Sequence, residues 1–209
     1  MIDRFKNLYH HKKNNILFIM ICMTSEIERF ANYKKQRNRI KNLALFEAIT
    51  PKCSEYKKKD DINFERFLGE KYTCLWLSQL SVFEFFLNSK FDYLCLFEDD
   101  VEPDKDISSK IKEKFIAHPD FSKLGGCRLG PYAFGNLYNK HCVLNIFKLI
   151  DKYGIDRNLD HFISNIKTSP DKKDLESVFH ISLKGVDLCV RSAKDNNGIK
   201  LQNKPIKIK

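Results

Sequence analysis

Apolar residues enter this chain in two patterns, one of short unbroken runs and one of helical stripes, and the two alternate. Ile16 to Met23 (ILFIMICM) is a run of eight, the length of one buried strand. Ser25 is placed to cap a following helix that carries Glu26, Glu28 and Arg29 and runs to about Asn42. Leu43 to Ile49 reads as a second strand, halted at Thr50-Pro51, and the charged stretch 52–61 reads as an exposed, turn-like connection. Between Tyr72 and Ser89 the spacing changes. Trp76, Leu80, Phe83 and Leu87 recur at intervals of four, three and four, and Leu75, Val82 and Phe86 widen the stripe into a face fit for a sheet. Phe91 to Phe97 is apolar at both parities, as a strand covered on two faces must be. Strand and helix in alternation indicate an α/β domain of the nucleotide-binding kind.

Beyond Pro103 the pattern weakens. Ile107 to Ala117 predicts a helix. The segment 124–136 holds four of the chain's eight glycines; it serves either a close backbone approach to a ligand or a plain loop between a strand and a helix. Val143, Ile146, Phe147 and Ile150 mark an amphipathic helix that ends near Gly154. A shorter helix near Asp160 to Ile166, a polar turn around Pro170 and a late strand at Val178 to Leu183 follow. One domain over 1–193 and a basic, loosely ordered tail over 194–209 account for the chain, with no internal repeat.

The chemistry concentrates where the central strand ends. In FDYLCLFEDDV at 91–101 the apolar run stops at Glu98, Asp99 and Asp100. On an extended backbone Glu98 and Asp100 share one side and Asp99 takes the other. Carboxylates at the carboxyl end of a strand suit a hard divalent cation or phosphate handling. The plainer alternative is a solvated acidic turn around Pro103.

Composition narrows the field. With 43% hydrophobic and 12% aromatic residues the chain is no disordered segment. The net charge of +10 and pI of about 9.2 favour anionic partners. The lysines are interspersed with acids, however, so the charge reads as solvated surface without a specific nucleic-acid face, and peripheral contact of this basic surface with a membrane stays open. Seven cysteines with no closely spaced pair exclude a C-x-x-C zinc or redox motif and fit reduced thiols in the cytoplasm. The basic start before ILFIMICM looks like a signal peptide, but it lacks a small-residue cleavage site and is too short to span a bilayer.

In this order the segments resemble glycosyltransferase family 25, which includes lipooligosaccharide and procollagen galactosyltransferases. The resemblance covers about residues 15 to 165 and is most specific from Tyr72 to Val101. There C-L-W-L-S-Q-L at 74–80 and YLCLFEDDV at 93–101 stand where the family shows a pattern like G-C-A-L-S-H-L and a strand ending L-E-D-D-V. ILFIMICMTSEIERF is similar to the family's opening strand and arginine-bearing turn, which matches Arg29. LALFEAIT is similar to F-E-A-V-D-G, GPYAFGNLYNKHCVLNIFKLI to the G-x-Y-A-Y segment and its helix, and LDHF at 159–162 to a later aspartate motif. Three departures stand out. Gln79 replaces the family's histidine, Cys74 its glycine, and Thr50-Pro51 its Asp-Gly.

The resemblance implies a single α/β domain of the type A nucleotide-sugar transferase (GT-A, Rossmann-like) fold, with a central mixed sheet flanked by helices. It implies transfer of a hexose, galactose or glucose, from a UDP-sugar to a hydroxyl of a glycan or glycoprotein acceptor with inversion, assisted by Mn²⁺ or Mg²⁺. Asp100, helped by Glu98, would hold the metal. His180 is either a third ligand or a satisfied core histidine. Arg29 and the backbone around Gly130 and Tyr132 would grip the donor, and Asp99 would contact the ribose or orient its neighbours. Asp160 is either the base that takes the acceptor's proton or a helix N-cap. Ser78 is expected to pack or bond locally. Two other classes compete: a metal-dependent phosphohydrolase, and a degenerate transferase-like domain that binds without catalysis.

Overall fold

Three apolar runs pair side by side in parallel and end together. In the computed structural model, which describes residues 2–8, 15–64, 69–117, 125–129, 135–156, 162 and 189–191, β1 is Phe5–Lys6, β2 Ile16–Cys22, β3 Leu43–Glu47 and β4 Tyr93–Glu98. β5 is Val101–Pro103, β6 Gly126–Arg128, β7 Gly135–Asn139 and β8 Cys189–Arg191. The main sheet has the order β1-β3-β2-β4-β7-β6. β2 is parallel to both β3 and β4, with Ile21 opposite Phe46 and Glu98, so the three strands finish at one carboxyl edge. β1, β7 and β6 join antiparallel. The result is a mixed sheet flanked by helices, compatible with a Rossmann-like arrangement.

Strand parity assigns the helices to two faces. Leu17, Ile19, Ile21, Ala44, Phe46, Leu94 and Leu96 pack with Trp76, Leu80, Phe83 and Phe86 of α2 (Glu70–Leu87) and with Val143, Ile146 and Leu149 of α4 (Lys140–Tyr153). Phe18, Met20, Leu43, Leu45, Cys95 and Phe97 pack with Tyr33 of α1 (Ile27–Arg39), with Ile107 and Ile111 of α3 (Ile107–Ile111), and with Phe115 of the π-type turns Lys112–Ile116 that prolong α3. Apolar residues of both parities in β2 and β4 are thereby explained, because each parity belongs to a different core.

Several local expectations need correction. Helix α1 starts two residues beyond Ser25: Glu26 is its N-cap, without a side-chain bond, and its carbonyl accepts from Phe30 N at 2.9 Å. The helix stops at Arg39, short of Asn42, because Ile40 is extended and buried and Asn42 takes φ +72° to turn the chain into β3. The stretch 52–61, expected as an exposed, turn-like connection, lies at the surface, but its residues 54–61 wind into a 3₁₀ helix, tied to the N-terminal residues by two bonds from Arg4 to Glu55 at 2.6 and 2.7 Å. Pro103 lies in β5, opposite Cys189 of β8, so the turn is Asp99-Asp100 itself.

The glycine-rich segment is flanked by a β-hairpin pairing, β6 with β7. Gly125 there has φ +80°, and a Cβ on it would meet Cys142 Cβ at 2.8 Å, so glycine is required by close packing on α4. Asn139 caps α4 by accepting from Cys142 N at 2.8 Å, and Gly154 ends the helix at φ +71° as expected. Lys140 donates to the carbonyls of Leu87 and Ser89 at 3.2 and 2.7 Å, placing a cation at the carboxyl end of α2. The predicted helix at 160–166 (Phe162 apart), the strand at 178–183 and the tail 194–209 lie outside the described residues. Among the described residues no helix is long and apolar enough to cross a membrane.

Candidate functional site at the carboxyl edge of the sheet

Chain order makes a crevice at the end of β2. From β2 the chain passes through α1 to β3 on one side, then through α2 to β4 on the other. The connections leave to opposite faces, and between the ends of β2 and β4 lies a topological switch point, the usual ligand position in open α/β sheets. Met23 and Thr24 follow β2 at this place, and Asp99 and Asp100 follow β4.

Alternation divides the acids. Leu94 and Leu96 face α2 and α4, and Glu98 continues on that side, half-buried at the strand end. Cys95 and Phe97 face α1, and Asp99 continues toward it. One Asp99 carboxylate oxygen accepts from Met23 N at 3.0 Å and the other from Arg29 Nη1 at 2.5 Å. Its side chain is 11% exposed and that of Arg29 is 36% exposed. Burial pushes the Asp99 carboxyl up; the Met23 amide and the Arg29 guanidinium oppose this without cancelling it. Asp100 is half-buried in the turn.

Helix α1 holds the turn from behind with a polar stripe. Asn32 Nδ2 donates to Asp99 O at 2.8 Å and to Val101 O at 3.0 Å. Gln36 Nε2 donates to Asn32 Oδ1 at 2.9 Å, and Arg39 Nη1 to Gln36 Oε1 at 3.1 Å. Glu102 lies between Lys35 at 3.0 Å and Arg39 at 3.8 Å. Sequence reasoning missed Asn32 and Gln36, although a signal was present. Arg29, Asn32, Gln36 and Arg39 follow the i, i+3, i+4 spacing of one helix face, with polar residues where apolar ones were sought.

The end of β3 is occupied by a second polar group. Glu47 accepts from Thr24 Oγ1 at 2.6 Å and pairs with Lys6 at 3.1 Å; the Thr24 bond, ahead of Lys6 and against partial burial, holds its carboxyl below the usual range. From α2, Ser78 Oγ accepts from Ile49 N and donates to Cys74 O, both at 2.8 Å, which is the local bonding expected of it. Its neighbour Gln79 is 5% exposed, and its Oε1 has no hydrogen-bond partner among the described residues.

Of the predicted site residues, Glu98, Asp99, Asp100 and Arg29 come together, with Arg29 and Asp99 engaging each other. Gly130, Tyr132, Asp160 and His180 lie outside the described residues. The residues flanking the first two are at this edge: Gly135 is opposite Phe97 in the sheet, and Leu129 N donates to Gly135 O at 2.8 Å. Among the described residues no three His, Cys, Asp or Glu side chains converge as a metal-binding group. The oxygen donors present, Glu98 and Asp100, nonetheless suit Mg²⁺ or Mn²⁺, which take one or two carboxylates and leave positions for substrate phosphates.

No known family model matches the chain, and a search of curated proteins returns no match.

Proposed function

We propose that the protein is a glycosyltransferase of the type A nucleotide-sugar fold, similar to family 25, that moves a hexose from a UDP-sugar to a hydroxyl of a glycan or glycoprotein. The observation that carries this reading is the position of Glu98 and Asp100 beside the switch point between β2 and β4, where an α/β sheet receives a nucleotide. The matched motifs supply the choice of transferase over other nucleotide-binding chemistries.

Glu98 and Asp100 would hold the divalent cation, which when bound neutralises charge on the departing diphosphate. The remaining work falls to the chain. Asn32 and Arg29 hold the Asp99-Asp100 turn against α1. Asp160 is assigned the acceptor's proton, and the segment with Gly130 and Tyr132 the donor. Gln79 favours a second reading, a domain that binds nucleotide or glycan without transfer: it replaces the motif histidine and keeps a buried oxygen without a partner among the described residues.

Calorimetry and a panel of radiolabelled UDP-sugars, with and without Mn²⁺, separate these readings. The transferase reading expects Mn²⁺-dependent UDP-sugar binding and transfer or slow hydrolysis. Asp100→Ala should lose that binding by at least about tenfold with the circular dichroism of the fold retained. Binding without turnover would favour the second reading. Wild-type protein that ignores UDP in the presence of Mn²⁺ would rule out both nucleotide readings.

A further inference from the structure

We infer that Asp99 and Asn32 are positioning residues that set the geometry of Asp100, and that Asp99 does not contact the nucleotide. The inference rests on the reading of Glu98 and Asp100 as ligand-facing acids, and of the two roles that the sequence resemblance implies for Asp99, contact with the ribose or orientation of its neighbours, it keeps the second.

The amide of Asn32 spans the turn. Its Nδ2 bonds the carbonyls of Asp99 and Val101, the residues on either side of Asp100, so one side chain grips the backbone before and after the acid. A turn free to rotate at these peptides would sweep the Asp100 carboxylate over several ångströms; two bonds from one nitrogen remove that freedom. Asn32 is itself oriented, because its Oδ1 accepts from Gln36, a fully buried residue whose own oxygen accepts from Arg39.

Asp99 completes the grip. Both of its carboxylate oxygens are engaged, one by the Met23 amide at the end of β2 and one by Arg29 of α1. It therefore ties the ends of β2 and β4 together across the switch point. Three elements meet at this residue, and its side chain lies on the α1 side of the sheet while Glu98 faces α2. Outer partners of this kind fix ligating carboxylates, and their loss lowers metal affinity without removing a ligand.

The test compares Asn32→Leu, the isosteric Asn32→Asp, Asp99→Asn and Asp100→Asn in the full chain. Amide hydrogen exchange of residues 98–102 is followed without ligand, and Mn²⁺-dependent UDP affinity by calorimetry. Both Asn32 variants should speed exchange at 98–102 while β2 and β3 stay protected, and should weaken Mn²⁺–UDP binding by about tenfold. Asp99→Asn should likewise speed exchange and cost less affinity than Asp100→Asn. Asp100→Asn should lose binding with exchange unchanged. Unchanged exchange at 98–102 in both Asn32 variants would overturn the inference, as would an Asp99→Asn loss equal to that of Asp100→Asn with no change in exchange. The exchange arm needs no ligand, so it decides the clamp even where wild-type protein fails to bind UDP.

Discussion

Burial divides the cysteines whose surroundings are described. Cys22, Cys74, Cys95, Cys127 and Cys142 are buried, and Cys53 is half-buried. Burial, then the charge of Asp99, pushes the Cys22 thiol up to about 12; burial first, then Glu70, pushes that of Cys74 up to about 11. At Cys53 burial also pushes upward, but the Thr50 hydroxyl, the Thr50 amide and the Arg4 guanidinium together outweigh it and leave the thiol below its ordinary value. Iodoacetamide at neutral pH should therefore modify Cys53 before the five buried thiols, and Thr50→Val should slow that reaction. Peptide mass spectrometry checks the order; equally fast labelling of Cys74 would contradict it. Arg4 acts on a second group, holding the Glu55 carboxyl at about 2. A depressed carboxylate stabilises the fold above its ordinary range and loses that contribution as pH falls toward 2. Arg4→Met should flatten the acid limb of the stability curve below about pH 4.5, by no more than about 1 kcal/mol for a pair at this rim position. Asp99 has the opposite sign: its raised carboxyl favours the folded state increasingly as pH drops through the carboxylate range, so the Arg4 effect has to be read against that background.

At the scale of elements, those that bury two faces or one wide stripe were legible. The runs of β2, β3 and β4 announce strands because each parity meets a different core, and α2 and α4 show their stripes for the same reason. The hairpin of β6 and β7 was not legible. Its strands contain Gly126, Gly135, Asn136 and Asn139, and their pairing is dictated by β4 rather than by their own pattern. For the site, the acids at a strand end could be read directly. The commitment of Asp99 to Met23 and Arg29 could not, because those partners are 76 and 70 residues away. Gly125 turns this into a test. Gly125→Ala adds a Cβ at 2.8 Å from Cys142 Cβ at positive φ and should cost about 1–3 kcal/mol. Gly69→Ala, which meets nothing within 4 Å, should change stability by less than about 0.5 kcal/mol. Urea unfolding of the two variants makes the comparison, and equal midpoints would show that the hairpin packs on α4 less closely than its geometry requires.

On the scale of the whole molecule, one sheet serves two cores, and this sets how the chain should unfold. Removing the α1 and α3 layer would expose Phe18, Leu45 and Phe97, and removing the α2 and α4 layer would expose Ile19, Phe46 and Leu96, all on the same three strands. Neither layer can leave without stripping strands that the other still needs, so the two cores should melt together. The chain carries a single tryptophan, and Trp76 sits in the α2 layer, edge-on to Phe162 with centroids 5.4 Å apart. It reports one core only. Phe115 lies fully buried in the opposite core, and Phe115→Ala should cost about 3–5 kcal/mol. If the sheet couples the layers, that distant substitution lowers the denaturant midpoint seen by Trp76 fluorescence as much as the midpoint seen by far-ultraviolet circular dichroism. A fluorescence transition left at the wild-type midpoint, with an earlier loss of helical signal, would mean that the α1 layer unfolds on its own. The clamp of α1 on the Asp99-Asp100 turn would then be the first part of the proposed site to be lost.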